Sequence, residues 1–296
     1  MRRQFSQVDV FGSGLCSGNP VAVVLDAGGL SGEEMQRFAR WTNLSETTFV
    51  LPPADPGADY RVRIFTPALE LPFAGHPTLG TCHAWLEGGG EPRDPGEIVQ
   101  ECDAGLVRIR RQEGRERTSS RIAEASAFSL AAPPLVRSGP ASEQEAARVA
   151  AALGLDPAEM LAVEWVDNGP GWIAVLLQSA ERVLELQPGS VDLDIGVAGF
   201  HPPGAEAAIE VRAFFPVNGV AAEDPVTGSL NASLAQWLLG SGRLAAPYLA
   251  TQGSAIGRAG RVRIDQDEEG TIWVGGRTET LISGRVSLAQ QGDPSE

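Results

Sequence analysis

The sequence contains no lysine, and all 23 of its basic residues are arginine. A chain without lysine cannot hold pyridoxal phosphate as a Schiff base, and it cannot complete a nucleotide-binding P-loop. The 38 acidic residues give the 296-residue chain a formal net charge of −15, and there is no basic patch to bind a phosphate backbone. Two large enzyme classes are therefore excluded, and we do not expect nucleic acid as a partner.

Cysteine and long apolar runs are also scarce. The three cysteines, Cys16, Cys82 and Cys102, are widely spaced and form no C-x-x-C pair, which is typical of reduced thiols in a cytoplasmic protein. No run of 18 apolar residues occurs, and the first residues lack the apolar core of a signal peptide. We therefore expect a cytoplasmic protein with no membrane partner and no disulfide.

One short pattern occurs twice, about half the chain length apart. Residues 75–81 read GHPTLGT and residues 223–229 read EDPVTGS; each follows a strand-like run and precedes an apolar helical pattern. A tandem duplication of one strand-and-helix unit is the simplest explanation. Because His76 in one copy corresponds to Asp224 in the other, the two copies would carry two different proton-handling groups on a shared frame.

Frequent glycine and proline divide the chain into short segments, which predicts many short strands and a few helices. Ser31 is the predicted N-cap of a first helix, and further helices are predicted over 78–86, 142–153 and 229–239. The helix over 142–153 would correspond to the one after Ser31. The polar stretch 110–120 separates the halves, so the predicted domains are residues 1–118 and 119–296, with the last strand free to pack on the first half.

Four ordered motifs resemble the PhzF-type, phenazine-biosynthesis-like isomerases, which are related in fold to diaminopimelate epimerase. They are residues 8–11 with 18–23, residues 43–50, residues 65–80 and residues 223–229. The resemblance spans almost the whole chain. It implies an α+β, duplicated diaminopimelate epimerase-like fold: two similar domains, each a curved, barrel-like sheet around a central helix, with the active site in the cleft between them. It also implies a homodimer and no cofactor.

The resemblance also assigns roles. Glu46 matches the family's catalytic carboxylate, His76 its motif histidine, and Asp224 and Ser229 its polar pair in the second domain. The better-known activity is isomerisation of trans-2,3-dihydro-3-hydroxyanthranilate, in which the glutamate moves a proton between ring carbons and an enol becomes a ketone. In the related epimerases two cysteines transfer protons from positions matching His76 and Asp224, so thiol-based racemisation is disfavoured here.

A cofactor-free isomerase needs a group that takes a proton from carbon and returns it elsewhere. A carboxylate such as Glu46 performs this task when burial raises its pKa. The alternative is that Asn43 and Glu46 form a capping box or a surface turn. His76 is either a proton donor or a neutral hydrogen-bond partner, and Asp224 either orients a substrate amine or hydroxyl or caps a helix.

The two glycine motifs suggest a binding site for the substrate carboxylate. Gly80 and Thr81, and likewise Gly228 and Ser229, are predicted at helix starts, where free N–H groups bind an anion. Gly75 completes this predicted substrate-binding set, although such residues are ordinary at any helix start. We interpret His83, Cys82 and the tryptophans as core residues, and we expect no metal site.

The sequence therefore predicts a cofactor-independent isomerase of a small carboxylate, with Glu46, His76 and Asp224 as catalytic residues. An epimerase or tautomerase of another small carboxylate is one alternative. A non-catalytic small-molecule-binding protein with the same fold is the other. Neither the substrate nor the pathway follows from the sequence.

Overall fold

The computed structural model describes residues 1–112, 126–217 and 219–288. The predicted domain boundary between residues 118 and 119 lies outside these ranges. In chain order the strands are β1 (Arg2–Val10), β2 (Asn19–Val24), β3 (Glu46–Leu51), β4 (Tyr60–Phe65), β5 (Glu70–Leu71), β6 (Ile98–Cys102), β7 (Gly105–Arg111), β8 (Ser126–Ala131), β9 (Arg137–Pro140), β10 (Met160–Asp167), β11 (Trp172–Leu177), β12 (Asp194–Phe200), β13 (Ile209–Val217), β14 (Val220–Asp224), β15 (Tyr248–Gln252), β16 (Gly260–Gln266) and β17 (Ile272–Ser287). The helices are α1 (Gly32–Thr42), α2 (Gly75–Glu87), α3 (Glu143–Leu153), α4 (Ala180–Leu184) and α5 (Gly228–Gly240).

The chain divides into two compact units. The first unit contains Met1–Val10, Pro20–Leu130 and the segment that begins at Arg277; the second contains Phe11–Asn19 and Ala131–Gly276. In the first unit each of the strands β1, β2, β3, β4, β6, β7, β8 and β17 pairs with two others of this set, so the sheet closes into a barrel. The second half of β17 contributes to this barrel by pairing antiparallel with β1.

The second unit repeats the strand order of the first. In the first unit β2 and β3 are parallel, β3 and β4 antiparallel, β4 and β6 parallel, and β6, β7 and β8 antiparallel. In the second unit the same sequence of directions runs through β11, β12, β13, β15, β16 and β17. The connection between the parallel strands β4 and β6 contains α2, and the connection between the parallel strands β13 and β15 contains α5. The duplication inferred from the two motifs therefore extends to the topology.

The correspondence proposed for the outer helices is wrong. The helix α1 connects the first parallel pair of its unit, β2 and β3, and the segment in the equivalent place of the second unit is the short α4, between β11 and β12. The helix α3 is present as predicted over 142–153, but it lies between β9 and β10. Its own N-cap pattern, Ser142 with Glu145, made it look like α1, because both helices begin with a capping box.

Burial explains why these helices form where they do. The central helices α2 and α5 are apolar or small on nearly every side, and a helix of this kind is stable only when it is enclosed. In contrast, α1 is amphipathic and packs Met35 and Phe38 against Phe49 of β3. Cys82 and five of the tryptophans are buried or partly buried, as expected, whereas Trp41 at the end of α1 is 79% exposed and stacks on Phe38. Within the described ranges, no helix has both the length and the apolar character to cross a membrane.

Candidate active site

Glu46 is the first residue of β3, beside Val21 of the parallel strand β2. The capping box considered for Asn43 and Glu46 does not form, because Asn43 ends α1 in the left-handed conformation, with φ 56°. The Asn43 backbone N–H donates to Ala39 and closes the helix. Glu46 therefore extends from the start of a buried strand and not from a surface turn.

His76 lies in the first turn of α2. The sequence predicts this helix from Thr78, whereas it begins at Gly75. Pro77 is tolerated there because a first-turn residue has no intrahelical acceptor for its N–H in any case. The first intrahelical bond is donated by Thr78 to the Ala74 carbonyl, so the N–H groups of Gly75 and His76 have no intrahelical acceptor.

The two side chains meet: Glu46 Oε2 lies 3.0 Å from His76 Nε2. The His76 side chain is 4% exposed and that of Glu46 is 15% exposed. Glu46 Oε2 makes no hydrogen bond of standard geometry in the described part of the chain. Its contact with His76 is therefore within ion-pair distance but is not an aligned hydrogen bond. A carboxylate beside an imidazole is a pair that can accept and return a proton.

The placement of Gly80 and Thr81 at a helix start is wrong. Both lie in the second turn of α2, where backbone N–H groups bond within the helix. A Cβ atom on Gly80 would come within 2.3 Å of Val21 Cγ1, and the buried Thr81 donates a 2.8 Å hydrogen bond to Thr48 Oγ1 of β3. These residues therefore set how closely α2 approaches the strands, and with it the distance from His76 to Glu46.

In the second unit the predicted helix start is confirmed. Gly228 and Ser229 are the first two residues of α5, so their N–H groups have no intrahelical acceptor and point out of the helix end. Such groups bind anions, and the helix dipole adds to the attraction. Asp224 does not cap this helix, because it is the last residue of β14 and Thr227 is the N-cap.

Two residues of a glycine-rich loop hold Ser229. Trp172 Nε1 donates to Ser229 Oγ over 3.1 Å, and Asn168 Nδ2 donates to the Ser229 carbonyl over 3.0 Å. The Ser229 hydroxyl accepts in the bond from Trp172, so its own proton is not used there. Sequence analysis assigns no role to residues 168–172, and Asn168 and Trp172 prove to position Ser229.

Asp224 is held on both carboxylate oxygens. Asn19 Nδ2 donates to Oδ1 over 2.8 Å, and Thr227 Oγ1 donates to Oδ2 over 2.6 Å. Gln252 Nε2 donates to the Asp224 carbonyl over 3.1 Å. Sequence reasoning missed Asn19 and Thr227 and left Gln252 without a role. No local pattern marks such contacts, since 205 positions separate Asn19 from Asp224.

Asp194, at the start of β12, carries an unfavourable charge. Burial and, to a lesser degree, the Asp167 carboxylate raise its pKa to about 6. Between about pH 4 and 6 the folded state binds a proton that the unfolded state has lost, so this residue lowers stability as pH rises through that window. We expect Asp194→Asn to raise the free energy of unfolding by about 1 kcal/mol at pH 7.5, a value reduced for solvent screening. Thermal melts of both proteins at pH 7.5 and 4.5 measure this.

Asp192→Asn is the matched control. Asp192 lies two residues away and is exposed, where it pairs with Arg148. Its replacement changes net charge equally but removes no buried carboxylate. The melting temperature of this variant should not rise, and the gain from Asp194→Asn should shrink at pH 4.5. Equal melting temperatures of wild type and Asp194→Asn at pH 7.5 would contradict the prediction.

His83 is a core residue, as the sequence suggested. It is 3% exposed, packs against the Phe128 ring, and shares a 3.1 Å hydrogen bond with Thr278 Oγ1. Burial lowers its pKa, although Glu87, 3.3 Å away, acts in the opposite direction. No group of three or more His, Cys, Asp or Glu side chains suited to a metal occurs among the described residues.

Known proteins are similar to this chain in both sequence and fold. Antisense-enhancing sequence 1 of Schizosaccharomyces pombe is 37% identical over 298 residues, covering 95% of this chain and 97% of that protein. The trans-2,3-dihydro-3-hydroxyanthranilate isomerase of Pseudomonas aeruginosa is 36% identical over 295 residues, covering 95% and 98%. A solved structure of a predicted epimerase from Pseudomonas aeruginosa matches with a TM-score of 0.74 at 26% identity, covering 96% of this chain and 99% of that one.

These matches confirm the predicted fold class, the duplicated epimerase-like α+β fold. The class defined by the repeated strand order and the isomerase relatives is that of PhzF-type isomerases. Residues 8–287 match the model of the phenazine biosynthesis-like proteins, and the chain belongs to this family.

Proposed function

We propose that this protein is a cofactor-independent isomerase that moves a proton between carbons of a small cyclic carboxylate. The observation that carries the proposal is the 3.0 Å contact between the carboxylate of Glu46 and the imidazole of His76, both largely buried. The relatives named trans-2,3-dihydro-3-hydroxyanthranilate isomerase, about 36% identical, favour that compound or a close analogue as the substrate.

Glu46 is the acid/base in this proposal. Its carboxylate takes a proton from one ring carbon, the electron pair of that C–H bond shifts into the adjacent double bonds, and the same proton returns to a second carbon. The product has the same atoms as the substrate, and no oxidant or reductant is required. His76 holds the Glu46 carboxylate in place. Its imidazole stabilises the ionised form of Glu46 before the proton is taken and the protonated form afterwards.

Substrate binding falls to the helix starts and to Asp224. The N–H groups of Gly228 and Ser229, together with the Ser229 hydroxyl, suit a substrate carboxylate. The N–H of Gly75 offers a similar donor at the start of α2. Asp224 accepts hydrogen bonds and suits a substrate amine or hydroxyl. Gly80 and Thr81 lie deeper in α2, where their N–H groups bond within the helix, so this proposal does not include them among the binding groups.

Amino-acid racemisation is the weaker proposal for this chain. The family's epimerases use two thiols, and the matching positions here are His76 and Asp224. Neither side chain is the matched thiol acid/base that removes an α-proton on one face and returns it on the other.

A homodimer is expected from the family and is tested by light scattering of the purified protein.

A proton NMR time course in deuterated water tests the function. Purified protein is incubated with trans-2,3-dihydro-3-hydroxyanthranilate, and substrate and product signals are followed. The proposal expects conversion, with deuterium at the carbon that receives the proton to the extent that Glu46 exchanges with solvent. Absence of conversion by folded protein, as judged by its melting curve, would overturn this substrate assignment.

A further inference from the structure

Gln252, the last residue of β15, is fully buried, and its side-chain amide uses its whole hydrogen-bonding capacity on Asp224, Thr227 and Asn231, at and just before the start of α5. We propose that Gln252 is a positioning residue that acts through Thr227 to fix Asp224 as a hydrogen-bond acceptor toward substrate. The inference rests on the proposed function for its catalytic consequence. The hydrogen-bond pattern itself is independent of that function.

Two backbone groups determine which way the Gln252 amide points. The N–H of Thr227 can only donate, and it lies 3.0 Å from Gln252 Oε1. The carbonyl of Asp224 can only accept, and it lies 3.1 Å from Gln252 Nε2. Asn231 Nδ2 donates to the same Oε1 over 2.9 Å. A flipped amide would place donor against donor and acceptor against acceptor, so one orientation alone satisfies the backbone.

This orientation determines the direction of the Thr227 hydroxyl. The second proton of Gln252 Nε2 points to Thr227 Oγ1 over 2.9 Å, so the hydroxyl oxygen accepts there. Its single proton must then go elsewhere, and Asp224 Oδ2 lies 2.6 Å away. Thr227 is therefore a donor to Asp224, because its hydroxyl oxygen accepts from Gln252 and its single proton is left for the carboxylate.

The other carboxylate oxygen is determined in the same way. Asn19 Nδ2 lies 3.0 Å from the Val226 carbonyl, an obligate acceptor, which fixes the Asn19 amide. The same nitrogen donates to Asp224 Oδ1 over 2.8 Å. Both oxygens of Asp224 thus accept hydrogen bonds from side-chain donors, which is the arrangement of an acceptor. Of the two roles considered for Asp224, this arrangement favours orientation of a substrate N–H or O–H, since Thr227 and not Asp224 is the N-cap of α5.

Four variants test the arrangement by their effect on isomerase kinetics. Thr227→Val keeps the shape of the side chain but cannot donate, and we expect kcat/KM to fall about tenfold to a hundredfold. Gln252→Met should give a loss at least as large. Thr227→Ser restores the hydroxyl and should stay within about threefold of wild type. The division of the Thr227→Val loss between kcat and KM should match that of Asp224→Asn, because the first removes the donor that orients the Asp224 carboxylate and the second replaces that carboxylate.

The matched control is Gln100→Met in the first unit. Gln100 is also fully buried, donating to Thr78 Oγ1 over 3.0 Å and accepting from Tyr60 over 3.2 Å. It should lower the melting temperature as Gln252→Met does but leave kcat/KM within about twofold. In the Asp224→Asn background, Thr227→Val should cost less than about twofold further, since coupled residues are not additive. Full additivity, or an equal loss in Thr227→Ser, would overturn the positioning role.

NMR of the ligand-free protein separates this inference from the proposed function. A hydroxyl proton held between Thr227 and Asp224 should exchange slowly, give a signal with contacts to the Gln252 and Asn19 amide protons, and vanish in Thr227→Val. If wild type shows no turnover but this signal is present, the function assignment fails and the hydrogen-bond direction stands. Absence of the signal in folded wild type would overturn the inference whatever the activity.

Discussion

Glu46→Gln is expected to lower kcat/KM by about a thousandfold or more while the protein remains folded. Glutamine keeps the size and most of the polarity of the side chain but cannot accept and return a proton, which general acid–base catalysis requires. Steady-state kinetics by NMR or absorbance measure the loss, and the melting temperature reports on folding. Deuterium incorporation into the product should disappear together with conversion, because both need the same proton transfer.

Glu101→Gln is the matched control for this variant. The Glu101 side chain is 16% exposed, compared with 15% for Glu46, and it lies in β6 of the same unit, where it accepts from the Ala54 and Asp55 N–H groups. Glu101→Gln removes one negative charge at a position as buried as Glu46, and it does not affect His76. We expect kcat/KM within about twofold of wild type. A Glu46→Gln enzyme with more than a tenth of wild-type kcat/KM would show that another group is the base.

Local patterns were sufficient to predict the elements whose ends carry their own signals. Ser31 and Ser142 begin helices with a glutamate three residues later, and both capping boxes are present. The apolar periodicity of α5 likewise gave its position to within a residue at each end. The start of α2 was misplaced because a His-Pro pair fits equally well before a helix or in its first turn. No residue nearby distinguishes the two positions.

The contacts within the candidate site were only partly accessible to sequence reasoning. Glu46 and His76 were assigned to one site by resemblance alone, and they lie 3.0 Å apart. The network around Asp224 was not foreseen, because Asn19 and Gln252 come from distant parts of the chain and their amides carry no periodic pattern. Buried amides are specified by the donors and acceptors that face them in three dimensions. A single sequence gives the residue types but not these partners.

Gly80→Ala is expected to destabilise the protein by about 2 kcal/mol and to reduce activity as well. The added Cβ would lie 2.3 Å from Val21 Cγ1 and 3.0 Å from Val10 Cγ2, so α2 or the strands must shift. Because His76 is one turn earlier on the same helix, a shift of α2 moves its imidazole away from Glu46. Denaturant melts and kinetics measure the two effects, and we expect about tenfold lower kcat/KM in protein that is still folded.

Gly240→Ala provides the control in the second central helix. Gly240 is the last residue of α5, and a Cβ there meets nothing within 4 Å. Alanine favours helix more than glycine does, so stability should be unchanged or slightly raised. If Gly80→Ala were as stable and as active as Gly240→Ala, the strands would yield to the extra methyl without cost. The close approach of α2 would then not be what sets the distance between His76 and Glu46.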